Sequence, residues 1–263
     1  MNDEWCKIGD ESRSSFSIPR AVIGCMVDAI DSEVIARNVG TVLDGIRRAA
    51  LNVGRQPDSI RLVAATKSVP PDRIRCAIDA GVKILGENRL QEALPKIDAI
   101  GTREGLSWHF IGRLQRRKVR TVVGLFQMIH SVDSLELARE IDRRAEETDI
   151  EQAVLLEVNI GGESSKGGFV PSELAEAAGI LDRLPHLAVK GLMAVPPLTI
   201  QPEQARPYFH KLRGLARSLT SLGLVRVRMD ELSMGMSHDY EVAVEEGATL
   251  VRVGTAIFGA RRG

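Results

Sequence analysis

The chain has 263 residues with 35 Lys plus Arg and 35 Asp plus Glu, so its formal net charge is zero and no overall attraction draws it to nucleic acid or an anionic membrane. Aromatic residues make up 4%, too few for a base-stacking surface. Three cysteines, Cys6, Cys25 and Cys76, have no metal-ligand spacing; they argue against a disulfide framework or a zinc site and fit a reducing cytoplasm. No apolar run reaches the ~18 residues of a membrane span. The apolar stretch Ala21–Val27 is short and follows Asp3, Glu4, Asp10 and Glu11, unlike the basic start of a signal peptide.

Residues 1–30 lack clear periodicity, and their first half is rich in serine and charge, so they are expected to be a disordered extension before a domain over 31–263. From Asp31, apolar residues Val34, Ile35, Val39, Val42, Leu43, Ile46 and Ala50 recur at helical spacing, with Asp31 or Ser32 as cap. A buried strand is expected at Leu62–Ala65, closing on Thr66-Lys67. Pro70-Pro71 opens a helix over 72–80, which Gly81 ends. Further strands are expected at Val82–Leu85, Trp108–Ile111, Met128–Ser131, Ala153–Val158, Ala188–Val195, Glu231–Met234 and Leu250–Val253. Helices fall between them, at roughly 89–99, 114–124, 134–147, 171–183, 203–221 and 239–246. Eight apolar strands alternating with helices predict a single (β/α)8 TIM barrel of parallel strands. An open doubly wound sheet is the second reading, weakened because no Gly-x-Gly-x-x-Gly follows the first strand.

In such a barrel, chemistry sits where strands end. Lys67 ends an apolar strand, where burial would disfavour its ammonium and leave a neutral amine able to attack an aldehyde; a snorkelling surface lysine is the plainer reading. Gly254-Thr255 follows the last strand, and Ser233-Met-Gly-Met-Ser237 ends the one before it. Small residues and amides after strands seven and eight suit a phosphate cup, although each glycine is also what an ordinary turn requires. His109, between Trp108 and Phe110, reads as structural ahead of a general base. Arg113, Arg116, Arg117 and Arg120 share one expected helix face, a solvated face or an electropositive rim for phosphorylated ligands. Lys166 lies in the glycine-rich loop 161–168, as a surface lysine or a second amine for aldehyde transfer.

Seven segments in order carry a resemblance: Leu62–Lys67, Gly86–Asn88, Trp108–Gly112 with Leu114-Gln115, Asn159 with Ser165–Gly167, Gly191–Ala194, Leu232–Ser237, and Val251–Thr255 with Ile257–Arg261. Together they resemble the pyridoxal phosphate homeostasis proteins, small barrels that bind pyridoxal 5′-phosphate (PLP). The resemblance implies a PLP-binding barrel of fold-type III, shared with the N-terminal domain of alanine racemase. It implies Lys67 as the Schiff-base lysine, Ser233, Gly254 and Thr255 on the phosphate, and Asn88 and Met193 lining the pocket. It makes Arg261 the candidate contact of the pyridine nitrogen, where it would keep the ring unprotonated and a poor electron sink. The chain departs from the common family pattern at Ser68-Val69-Pro70, Arg89, Arg113 and His238.

Two functions follow as expectations. One is a cytoplasmic, monomeric PLP carrier serving homeostasis and handing PLP to apoenzymes, without turnover. The other is a PLP enzyme such as an amino-acid racemase. Barrel racemases need an acid/base from a C-terminal β-domain, and the chain ends eight residues after Thr255, so the carrier is favoured.

Overall fold

The computed structural model describes residues 20–163 and 165–260, with side chains from 31 onward. Eight parallel strands close a barrel in sequence order: β1 (Arg61–Ala65), β2 (Ile84–Glu87), β3 (Ser107–Phe110), β4 (Met128–Val132), β5 (Gln152–Glu157), β6 (Leu187–Met193), β7 (Val227–Ser233) and β8 (Leu250–Val253). Closure comes from β8 pairing with β1, Arg61 opposite Leu250 through Ala64 opposite Val253. Most strands are apolar because both of their faces are covered, whereas β7 carries Arg228 and Asp230 into solvent. Alternation sends Val63 into the lumen, where it packs with Ile84, Met128, Leu155, Met193 and Leu250. Its neighbours Leu62 and Ala64 face the larger core beneath the helices.

The outer layer comprises α1 (Arg20–Asn52), α2 (Pro71–Asp79), α3 (Leu90–Ile100), α4 (Val119–Val122), α5 (Leu135–Glu146), α6 (Leu174–Leu181), α7 (Arg206–Thr220), α8 (Tyr240–Glu245) and α9 (Thr255–Phe258). In α5, Leu137, Ala138, Ile141 and Ala145 form the buried stripe, and the Ser134 hydroxyl caps the start by accepting from the Leu137 amide at 3.3 Å. At its end, Arg143 and Arg144 pair with Glu140 and Glu147 on the solvent side. The helix after β8 is only four residues long. The place of a full eighth outer helix is taken by α1, which packs on α2, α8 and α9 through Ile35, Val39, Val42 and Ile46.

Several boundaries differ from the sequence expectations. The first helix begins at Arg20 and not at Asp31, because no proline interrupts the apolar run before Asp31 and the Asp31 side chain pairs with Arg73 on α2 at 2.7 Å. Residues 1–19 of the expected extension, with Cys6, lie outside the described residues. The helix expected over 114–124 is a tight turn at Arg116–Lys118 followed by the four-residue α4. The β-branched residues Val119, Thr121, Val122 and Val123 crowd a longer helix, and Gly124, at φ 77°, turns the chain away. The helices expected from 171 and 203 likewise open as tight turns at Pro171–Glu173 and Pro202–Ala205.

Gly191 shows why one position accepts no side chain: a Cβ there would lie 1.8 Å from the Glu231 carbonyl oxygen of β7. That close approach sits where the pairing of β6 with β7 shifts register between Val189 and Gly191. Among the described residues, no helix is long and apolar enough to cross a membrane.

Candidate functional site

The strand ends open on a cavity of about 380 Å³ between β1 and β8, lined among others by Ala65, Lys67, Ser68, Arg73, Gly254 and Thr255. That volume lies within the roughly 300–1,000 Å³ of small-molecule sites. Lys67 thus reaches the same space as Gly254 and Thr255, although 187 residues of sequence separate Lys67 from Gly254. The expected burial of Lys67 is not found: the residue is exposed. The strand ends at Ala65, and the chain turns at once, with the Val69 amide donating to the Thr66 carbonyl at 3.0 Å, so Lys67 stands on a turn at the rim.

Glycine at 254 keeps the floor open. A Cβ there would press to 3.2 Å from the Ala65 carbonyl oxygen and 3.4 Å from its Cβ. The amides of Gly254 and Ala256 converge on one oxygen, the Ser237 hydroxyl, at 3.2 Å each. Two N–H groups thus meet at one oxygen, beside an exposed Thr255 hydroxyl; Ser237 and Ala256 themselves line the neighbouring cavity of about 710 Å³. A lysine amine, a guanidinium, a hydroxyl and convergent amides are a donor set that suits a phosphorylated aldehyde.

Ser233, expected at the phosphate cup, is elsewhere. It is fully buried inside the barrel, its hydroxyl held by Arg252 Nη1 at 2.6 Å and His130 Nδ1 at 2.9 Å. The two serines of the Ser233–Ser237 segment divide between layers because Ser233 still belongs to β7 whereas Ser237 lies in the loop beyond it. The resemblance implied Ser233 and did not single out Ser237.

Arg252, which the sequence reading missed, extends the buried layer. It lies two residues beyond the lumen-facing Leu250, so its side chain also points inward. Its Nη2 donates to the Ala194 carbonyl at 3.0 Å. Burial draws the guanidinium down to about 10, with Glu157 and Asp239 opposing, which leaves it charged at neutral pH. Arginine only donates, so Ser233 accepts from it, and the same hydroxyl shares a hydrogen bond with His130 Nδ1. His130 Nε2 shares a further hydrogen bond with His109 Nδ1 at 2.9 Å. Burial holds both rings neutral, His109 at about 3 with a smaller push from Arg61, and His130 well below the ordinary value with added repulsion from His109 and Arg252. His109 is thus a structural member of a buried chain that includes His130, another residue not singled out from sequence. Met193 is 2% exposed in the apolar lumen below.

Asn88 lines a separate cleft of about 640 Å³ with Arg89, Gly112, Arg113 and Lys118, and its Oδ1 is buried without a hydrogen-bond partner. Gly112 allows that cleft to form, since a Cβ would lie 2.3 Å from the Asn88 carbonyl. Arg113, Arg116, Arg117 and Arg120 are all exposed, and Arg113 approaches Asp133 at 4.0 Å. Lys166 is tied to Glu163 at 2.6 Å and to the carbonyls of Val195 and Pro196 at 3.3 Å, not held out as a mobile amine. Burial raises the Glu157 carboxyl, with Asp133 adding to the rise. Arg261 lies outside the described residues. Among the described residues, no group of three or more His, Cys, Asp or Glu is placed to hold a metal ion.

The family model for the N-terminal domain of alanine racemase matches residues 59–262. The pyridoxal phosphate homeostasis protein of Aquifex aeolicus (strain VF5) is 50% identical over 184 residues, covering 70% of this chain and 79% of that one. Its namesake in Escherichia coli (strain K12) is 42% identical over 232 residues, covering 86% and 97%. The solved structure of PipY of Synechococcus elongatus PCC7942 with PLP bound is 36% identical, with a TM-score of 0.74, covering 86% of this chain and 100% of that one.

Proposed function

The chain belongs to the family of pyridoxal phosphate homeostasis proteins, and from that premise we propose that it holds PLP on Lys67 and keeps it available for delivery, without turnover. The observation that carries this reading is the cavity shared by Lys67, Gly254 and Thr255. PLP supplies an aldehyde that condenses with a primary amine, forming a C=N bond and releasing one water. Lys67 brings that amine from the turn after β1. The Gly254 and Ala256 amides, which meet the Ser237 hydroxyl, and the Thr255 hydroxyl would hold the phosphate; Ser233 belongs to the same proposal, its hydroxyl bonded to Arg252 inside the barrel. Asn88 and Met193 act at one remove, from the neighbouring cleft and from the lumen below. Arg261 as the partner of the ring nitrogen belongs to the same proposal, outside the described residues.

The rim position supports a carrier. Lys67 and Thr255 are exposed, so water reaches the linkage and can reverse it. The two buried histidines are neutral and committed to the Ser233 chain, which leaves them unsuited to move a proton at the rim. The partners in this proposal are PLP and the apoenzymes that receive it from a monomer. A reducing cytoplasm is its setting, consistent with the free thiol of Cys76.

The test is to incubate the protein with PLP, reduce with borohydride and map the modified peptide by mass. The tag is expected on Lys67; a tag on another lysine overturns the assignment. The same loaded protein, given L-amino acids in deuterated water, is expected to show no multiple-turnover Cα exchange by NMR while it transfers PLP to an apoenzyme. Sustained exchange that depends on Lys67 would establish the racemase-like reading in its place.

A further inference from the structure

We infer that Glu87 and Lys96, neither of which lines the Lys67 cavity, are positioning residues that lock the turn presenting the Lys67 amine. The inference rests on the reading of Lys67 as the PLP amine. Glu87 is the last residue of β2 and is fully buried; Lys96, on α3, is 7% exposed. Their side chains pair at 2.8 Å. Two charges are costly to bury, and such a pair adds little net stability over an apolar one. What this pair does is reach the residue before Lys67. Lys96 Nζ donates to the Thr66 carbonyl at 2.7 Å, and the Thr66 hydroxyl donates to Glu87 Oε1 at 2.6 Å. Thr66 is fully buried, and its amide also bonds Gly86 O at 2.9 Å. On the other side of Lys67, the Ser68 amide donates to Glu92 Oε2 at 2.9 Å, while Ser68 holds a left-handed φ of 60°. A non-glycine residue keeps that conformation only when its surroundings impose it. Both neighbours of Lys67 are thus fastened to the segment from β2 to α3, and the amine starts from a fixed point.

The test exploits the low net worth of a buried pair. Glu87→Leu with Lys96→Met removes both charges together and strands no polar group. The Thr66 hydroxyl can turn its proton to Gly86 O, 3.2 Å away, and the Thr66 carbonyl keeps the Val69 amide. This variant is expected to unfold in the same cooperative transition as the wild type. Its rate of borohydride-fixed PLP capture on Lys67 is expected to fall between about tenfold and a hundredfold, the scale on which a displacement of about 1 Å slows a reaction. Hydrogen exchange at the Ser68 and Val69 amides, measured without PLP, is expected to quicken. Wild-type capture and wild-type exchange in the folded double variant overturn the inference. Should that variant fail to fold, Glu92→Ala cuts only the Ser68 bond; there, faster exchange at Ser68 with slower capture supports the lock, and no change in either overturns it. If wild-type protein fixes no PLP on Lys67, the PLP reading fails, and the amide exchange alone still decides the lock.

Discussion

The two sides of the barrel mouth bury charge in opposite ways. On the β1–β2 side, Lys96 meets a full counter-ion, Glu87, and the pair spends its hydrogen bonds on the backbone of one turn. On the β7–β8 side, Arg252 donates to neutral acceptors, the Ser233 hydroxyl and the Ala194 carbonyl, with Glu157 and Asp239 acting without a hydrogen bond to it among the described residues, and the Ser233 bond continues to two neutral histidines. A paired charge fixes geometry because both partners lose most if either moves. A charge held by dipoles keeps an electropositive layer two residues below the Gly254 amide, where an anion on the rim benefits from it. On the proposed reading of the site, the β1–β2 side serves position and the β7–β8 side serves potential.

The largest expected effect is on the amine side. Lys67→Ala is expected to remove all borohydride-fixed PLP, read by absorbance and peptide mass; retained labelling would place the amine elsewhere. On the anion side, Thr255→Val is expected to weaken PLP binding by about 1.5–3 kcal/mol, the worth of a hydrogen bond to a charged acceptor. Pyridoxal, which lacks the phosphate, should bind nearly as before, and an equal loss for both ligands would remove Thr255 from the phosphate cup.

Stability sharpens the contrast. Ser233→Ala leaves Arg252 Nη1 and His130 Nδ1 without their shared partner and is expected to cost about 1–3 kcal/mol in urea unfolding. The double replacement of Glu87 and Lys96 should cost less, and the reverse order would break the comparison. The smallest effect is a slope. His109 and His130 have folded values below their unfolded ones, so the unfolded chain binds more protons in between. Stability is then present above the unfolded value, near pH 6.5, and declines as pH falls from there toward about 3 for His109. Each histidine contributes up to about 1.4 kcal/mol per pH unit within its window. His109→Gln should reduce the slope of unfolding free energy between pH 6.5 and 5 by about that amount for one histidine; an unchanged slope would mean that His109 is not buried neutral.

The amino-acid pattern by itself determined the eight strands and the closed barrel. Apolar runs of four to seven residues, covered on both faces, leave strand order as the main unknown, and the regular alternation with helices resolves it. It also picked out Lys67, Gly254 and Thr255, because a lysine at a strand end and a glycine before a hydroxyl are legible in one dimension. Only the folded chain separates the two serines, with Ser233 inside the barrel against Arg252 and His130 and Ser237 in the loop beyond, accepting from the Gly254 and Ala256 amides. Only it revealed Arg252, hidden in sequence as one charge within an apolar strand, and the joining of Glu87, Lys96 and Thr66 across three elements. It also moved Lys67 from a buried strand end to an exposed turn, and gave α1 the place of the eighth outer helix. The physical reason is common to all of these. Periodicity reports which face of an element is covered, but not which side chains from distant elements meet there, and hydrogen bonds and buried charges are settled by those meetings.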